Sequence, residues 1–414
     1  MLPTLPLTPQ SEKRLLLSLA GIQFTHILDF MIVMPLGPTL MRALDLSTAQ
    51  FGLLVSAYTF TAALSAIAAS TVIERFDRRQ VMLLSYIAFI IATALCATAP
   101  SYAMLLLARS VAGAFGGVLG AMTMTFIGDT IPYAHRGRAT GIVMSAFSIS
   151  TVLGVPLSLL LVHQIPWLGW RAPFIFTALL GCVFWWIAYS SIPSIPTRLA
   201  DQRLHNMLVP MRQVLVRRNH WRAYAFMLLL MIGGFSVIPY LALYSTMNLG
   251  FPEDRLAWMY LAGGVCTFFT GRYFGRLADR YGKARMFRII ALLSLLPIFA
   301  ITQTSALPGW GLLIITTFFF ILVSGRMVPG MAVITSAGVP ALRGTYMSLN
   351  SAVQFAGSAI ASLAAGYIIS RNAQGQIEHY AVVGYLAITA TLMCVWLVGR
   401  VQPEHETQKD DTTL

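Results

Sequence analysis

Twelve stretches of about twenty apolar residues recur along the chain, and they leave few folds open to it. They lie at about 16–40, 51–73, 81–99, 102–128, 139–162, 170–192, 222–246, 256–276, 286–303, 309–336, 345–369 and 380–400. Each is close to the ~20 residues a helix needs to cross ~30 Å of hydrocarbon. Lipid offers the backbone no hydrogen-bond partner, so such runs satisfy their own amides as helices. They lack the polar–apolar alternation of a membrane β-barrel. Composition agrees: the chain is 57% hydrophobic and 10% charged, against roughly 25% charged residues in a soluble domain. The expected class is an all-α membrane protein. The first run is too long for a signal-peptide core and no small-residue cleavage site follows it, so it is expected to stay in the mature protein.

The formal net charge of +13 invites a nucleic-acid reading, but its distribution argues against one. If the N-terminus is cytoplasmic, 21 of the 28 lysines and arginines fall in cytoplasmic segments, six of them between 193 and 222, while the opposite side holds only Arg42, Arg171, Arg255 and Arg371. This is the positive-inside bias, and it predicts cytoplasmic termini in a bacterial-type inner membrane. Trp170, Trp258, Trp310 and Trp221 stand at span ends, where an aromatic belt places them. The cysteines Cys96, Cys182, Cys266 and Cys394 all fall inside spans, without metal-ligand spacing. No phosphate-binding Gly-x-x-x-x-Gly-Lys-Ser/Thr stretch, His-Glu-x-x-His or Gly-x-Ser-x-Gly occurs. Neither a cofactor nor an enzymatic activity is expected.

The longest non-membrane stretch, 193–221, is rich in arginine and divides the spans six and six. Its apolar pattern at 207–216 suggests a short helix lying on the membrane surface. The expected organisation is a half at 1–192, a cytoplasmic loop at 193–221, a second half at 222–400 and a tail at 401–414. The halves also match in sequence. Glu74-Arg75 after span 2 corresponds to Asp279-Arg280 after span 8, and Arg136-Gly137 after span 4 to Arg343-Gly344 after span 10, both at offsets near 206. Six spans per repeat give both halves the same orientation, which places a substrate site between them near the midplane.

The signature Gly275-x-x-x-Asp279-Arg280-x-Gly282-Lys283 and its partner after span 2 resemble those of the major facilitator superfamily. Arg109-Ser-Val-Ala-Gly113, Gly154-Val155-Pro156 and Gly169-Trp170-Arg171 add a likeness to its drug and metabolite:proton antiporters, sugar-efflux members included. The first loop signature departs from the pattern, with Ser70, Glu74 and Asp77 where Gly, Asp and Gly are usual; Asp77 is expected to tolerate a left-handed turn. The resemblance implies two pseudo-symmetric six-helix halves, alternating access and export of a small molecule against protons. It also implies a part in proton transfer or substrate binding for Arg109.

Few charges lie at lipid depth. Asp29 is the only acid there, ~20 Å into span 1. An ionised carboxylate at that depth costs several kcal/mol unless it is paired or wet. Asp29 is therefore a candidate proton carrier or one half of a permanent ion pair. His26, one turn earlier on the same face, either relays that proton or lines a cavity. Arg109 is the expected partner, in a pair that opens when Asp29 is protonated or in a fixed interhelical tie. Arg326 either lines a wet cavity and binds an anionic or hydrogen-bonding substrate group, or satisfies carbonyls freed by Pro329. Tyr58, Tyr240, Tyr244, Asn350 and Gln354 are weaker candidates for the cavity. Glu74, Arg75, Arg78, Arg79, Asp129, Asp279 and Arg280 form a candidate inner gate, or a solvated cluster that only sets topology. Gly154 and Pro156 should kink span 5. The leading expectation is a monomeric, proton-coupled exporter working with a small-molecule substrate, protons and membrane lipids, and without nucleic acid. Alternatives are an importer or uniporter of an organic anion or sugar-like solute, a non-transporting scaffold or sensor, and an intramembrane enzyme.

Overall fold

A computed structural model of the chain describes residues 9–72, 76–131, 135–193, 204–304, 308–339 and 342–403. The first half runs through α1 (Pro9–Ile32), α2 (Gly37–Leu44), α3 (Thr48–Val72), α4 (Arg78–Thr98), α5 (Tyr102–Thr130), α6 (Arg136–Ile149), α7 (Val155–Gln164) and α8 (Ala172–Ser191). A helix α9 (Leu204–Val216) occupies part of the central stretch. The second half holds α10 (Arg218–Phe235), α11 (Ile238–Met247), α12 (Leu256–Tyr281), α13 (Lys283–Gln303), α14 (Gly309–Gly325), α15 (Met327–Ser336), α16 (Arg343–Ile368) and α17 (Tyr380–Leu397). A two-stranded ribbon, β1 (Ser370–Arg371) antiparallel to β2 (Ile377–Glu378), closes the loop before α17.

Eleven helical segments are long and apolar enough to cross a membrane. The remaining expected span is α12, whose 26 residues reach ~39 Å but whose apolar run is diluted by Gly263, Gly264, Gly271 and Arg272.

Proline divides several spans into two helices. Span 1 ends at Ile32, and α2 begins only after a turn at 33–36 that contains Pro35. Span 7 breaks in the same way between α10 and α11, ahead of Pro239. Pro35 and Pro239 lie 204 residues apart, close to the repeat offset, so each half carries the same interruption in its first span. A proline removes one amide donor and its ring crowds the carbonyl four residues earlier, here Met31 and Phe235 at the ends of α1 and α10, which explains the break. In span 5 the expected distortion at Gly154-Val155-Pro156 takes the form of a five-residue π-helical stretch, Ser150–Gly154, between α6 and α7.

In the first half α1 packs on α6 and α8, α3 and α4 pack on α5, and α4 packs on α8. The second half repeats this with α10 on α16 and α17, α12 and α13 on α14, and α13 on α17. The halves meet along α3 with α16, and along α12 with α7 and the π-helical stretch. These two seams exchange under the repeat, as a parallel duplication requires. Leu84, Leu107, Trp186, Leu296 and Trp310 are all exposed, an apolar exterior suited to lipid.

Candidate functional site

The buried pair between Asp29 of α1 and Arg109 of α5 organises the first half. Arg109 Nη1 donates to Asp29 Oδ2 at 2.6 Å and to the Asp29 backbone oxygen at 3.0 Å. Both residues are fully buried, so each charge has given up its hydration and depends on the other. The Tyr58 ring of α3 lies under the guanidinium, 4.5 Å from Cζ, and adds the attraction of a cation for an aromatic face. The Tyr58 hydroxyl in turn donates to the backbone oxygen of His26 at 3.2 Å. Gly113 and Gly116 let α5 lie close enough for these contacts, since a methyl group on either would strike Tyr58.

The pair is not saturated. Asp29 Oδ1, Arg109 Nε and Nη2, His26 Nε2 and Gln23 Oε1 are buried without a hydrogen-bond partner among the described residues. Gln23, His26 and Asp29 follow one another at three-residue spacing along α1, which makes a track of unsatisfied polar atoms through the half. Buried polar atoms normally find partners, and exceptions of this kind are where protons, waters or ligands act. Gln23 carries no charge and escaped the sequence reading, although its spacing from His26 was the available signal.

Arg326 sits at the break between α14 and α15 and is 1% exposed. Its Nη1 donates to the Thr391 hydroxyl at 2.7 Å and to the Ser294 hydroxyl at 3.3 Å. Its Nε and Nη2 have no partner among the described residues. The guanidinium therefore points into the second half, toward α13, α17 and Gly233 of α10. The bonds recorded for it go to hydroxyls, rather than to carbonyls freed by Pro329.

The aromatic and amide candidates are dispersed. Tyr240 is buried where the halves meet, donating to the Ser362 oxygen at 3.1 Å and the Thr48 oxygen at 3.5 Å. Tyr244 donates to the Thr304 oxygen at 2.6 Å and leans on Tyr380. Asn350 is buried with neither amide atom partnered among the described residues, and Gln354 is half-buried on the same helix. Only Tyr58 joins the ion pair directly.

At the end of the bundle opposite the termini the halves are cross-linked. Arg42 and Glu253 form a two-point ion pair across them. The Glu253 carboxylate holds the Arg42 guanidinium above its ordinary range. Beneath it the Thr48 hydroxyl donates to the Ile369 oxygen at 2.6 Å. Gly52 of α3 and Gly366 of α16 meet where no side chain fits. None of these residues stood out in sequence.

At the terminus end, Glu74 and Arg75 lie outside the described residues, as does the side chain of Asp129. Asp77 does not take the left-handed turn expected of it. Its φ is −58°, and its side chain accepts from the Arg79 amide at 3.0 Å, capping α4. Its repeat counterpart Gly282 does take positive φ, at 92°. Glycine turns by left-handed backbone, whereas Asp77 begins the helix as an N-cap and needs no such turn. Arg78 opens α4 beside Arg79, which donates to the Tyr189 oxygen at 2.7 Å and stacks on that ring. Asp279 and Arg280 are exposed, the latter over Tyr281.

Two helical bundles joined at seams that exchange under the repeat, one of them carrying a buried ion pair, make a multi-pass membrane protein. The chain matches the Major Facilitator Superfamily over residues 19–325 and 248–413, and it belongs to that family. It is 24% identical over 376 residues to the uncharacterized MFS-type transporter YceJ of Bacillus subtilis, covering 89% of this chain and 91% of that one. It is 27% identical over 244 residues to the purine ribonucleoside efflux pump NepI of Shigella dysenteriae, 58% of this chain and 59% of the pump. The structure aligns with the D-xylose-proton symporter at a TM-score of 0.75 and 17% identity, covering 94% and 97% of the two chains. A bacterial homologue of the human lysosomal transporter Spinster aligns at 0.72 and 17% identity, over 95% of each chain.

Proposed function

We propose that this transporter exports a small organic molecule in exchange for protons, with Asp29 as the proton-carrying group. The observation that carries the reading is the fully buried Asp29–Arg109 pair with its unsatisfied atoms. A proton delivered to Asp29 converts the carboxylate to a neutral acid and leaves the Arg109 charge uncompensated in a low-dielectric interior. Arg109 then favours any arrangement that offers it water or a substrate group, and that preference shifts the balance between two states of the halves. His26 supplies a neighbouring proton position, and Gln23 a hydrogen-bond acceptor beyond it. Efflux is supported by the likeness to NepI, and cytoplasmic termini by the arginine-rich stretch at 193–222. The far-end contacts Arg42–Glu253, Thr48–Ile369 and Gly52–Gly366 then close the outer side, and the charged loops after α3 and α12 form the inner gate. Flux of candidate nucleosides and other small solutes in proteoliposomes under an imposed pH gradient tests the reading. Substrate movement that ignores the gradient contradicts it.

A further inference from the structure

One concave site lies apart from the ion pair and the seams. At the terminus end, between the first turns of α1 and α6, runs a groove of about 360 Å³, within the ~300–1,000 Å³ range of small-ligand sites. Its floor is apolar, built from Leu16, Leu17 and Ala20 on α1 and Ile142 and Ile149 on α6. Leu17 is 54% exposed and Ile149 41% exposed, so the floor is uncovered by the protein itself. Its rim is charged, with Lys13 and Arg138 both exposed and Glu12 the one acid beside them. Neither cation has an ion-pair partner among the described residues.

Depth and charge together select an occupant. Lys13 and Arg138 stand at the starts of the segments Gln10–Ile32 and Arg138–Gln164, which are long and apolar enough to cross a membrane. The ends of such segments are where a leaflet keeps its phosphates. From Arg138 to Ile149 the floor runs eleven residues inward, ~16 Å at 1.5 Å per residue. A soluble anion would use the rim and leave the floor wet; a zwitterionic amphiphile would use the floor but gain little from a rim of net positive charge. We propose that the groove binds an anionic phospholipid of the adjoining leaflet. Its phosphate sits between Lys13 and Arg138, and one acyl chain lies over Leu17, Ile142 and Ile149. Basic side chains at a membrane surface attract such lipids by about fivefold each, and Glu12 offsets part of the pair's effect, so the rim supplies roughly five- to 30-fold.

The test is native mass spectrometry of the full-length protein released from mixed phosphatidylglycerol–phosphatidylcholine vesicles. The parent is expected to retain one phosphatidylglycerol with a preference of roughly five- to 30-fold over phosphatidylcholine. Lys13→Gln with Arg138→Gln should bring the preference near parity, while Arg255→Gln at the far end should leave it intact. Ala20→Phe, which fills the floor without altering charge, should also lose the bound lipid. Inorganic phosphate should not displace it. A preference that survives the double substitution overturns the proposal. So does a lipid that survives Ala20→Phe, because it then rests on surface charge alone, and so does displacement by inorganic phosphate.

Discussion

Gly52 and Gly366 face each other where α3 crosses α16, and a methyl group at either would meet the Tyr240 hydroxyl and the opposing backbone. That contact holds the halves together opposite the termini, because it lets two main chains approach as no other residue permits. Gly366→Ala should open the seam at a cost of about 1–3 kcal/mol, the usual penalty for overpacking. Accessibility of a cysteine placed at Thr48 is the measurement. It should rise in Gly366→Ala, and an unchanged labelling rate would mean that the seam tolerates the methyl group.

The Arg42–Glu253 pair lies above that seam and is partly exposed, so its own worth is small, roughly 0.2–1 kcal/mol. Arg42→Gln and Glu253→Gln should each lower the closed population only a few-fold, and the reversed pair Arg42→Glu with Glu253→Arg should restore it. High salt should reproduce the single substitutions, because exposed charges are screened. Conformational populations read by double electron–electron resonance across the two loops decide the matter.

Arg326 presents the opposite case, a buried cation with no ion-pair partner among the described residues. The hydroxyls that receive it are already satisfied, Ser294 by the Ala291 oxygen and Thr391 by the Ala387 oxygen, each at 2.7 Å. Arg326→Met should therefore leave no orphaned group and raise thermal stability, by an order of 1–3 kcal/mol. If Arg326 also attracts an anionic substrate group, the same variant should bind substrate more weakly. A more stable protein with unchanged binding would assign the arginine to structure alone.

The orientation rests on loop charge and is tested separately. Cysteines at Ser101 and Asn372 should label from outside intact cells, and one at Asn206 only after permeabilisation. External labelling at Asn206 would invert the assignment.

Much of this architecture was legible because its signals are one-dimensional. Span length and apolarity depend on nearest neighbours in sequence, and Asp29 stood out because lipid makes a lone midplane acid expensive. The breaks at Pro35 and Pro239 were harder to place, since hydropathy continues through them and only the missing amide marks the interruption. Tyr240 could not be assigned from sequence, because a tyrosine suits a cavity wall and a buried seam equally well. In sequence Arg42 and Glu253 read as ordinary loop charges 211 positions apart, and only the fold brings them together. Asp77 was misread because a glycine replacement suggested backbone freedom, whereas its carboxylate works as a cap.

The central claim is that Asp29 carries the coupled proton, and Asp29→Asn addresses it most directly. Asparagine keeps nearly the size of the protonated acid and cannot ionise, so Arg109 loses its counter-charge permanently. Either half of the pair, once removed, leaves a buried charge at a cost of about 3–5 kcal/mol, so thermal stability is measured beside transport. Arg109→Ala is the poorer probe, because it also removes the cation from the Tyr58 ring and leaves Asp29 free to take up a proton. The decisive measurement is substrate accumulation in proteoliposomes holding the purified variant under an imposed pH gradient, beside substrate exchange with no gradient. The account predicts that Asp29→Asn abolishes gradient-driven accumulation, retains exchange, and loses the pH dependence shown by the parent. Accumulation against a gradient with the parent's pH dependence intact would contradict it and move the proton elsewhere, with His26 the next group to test.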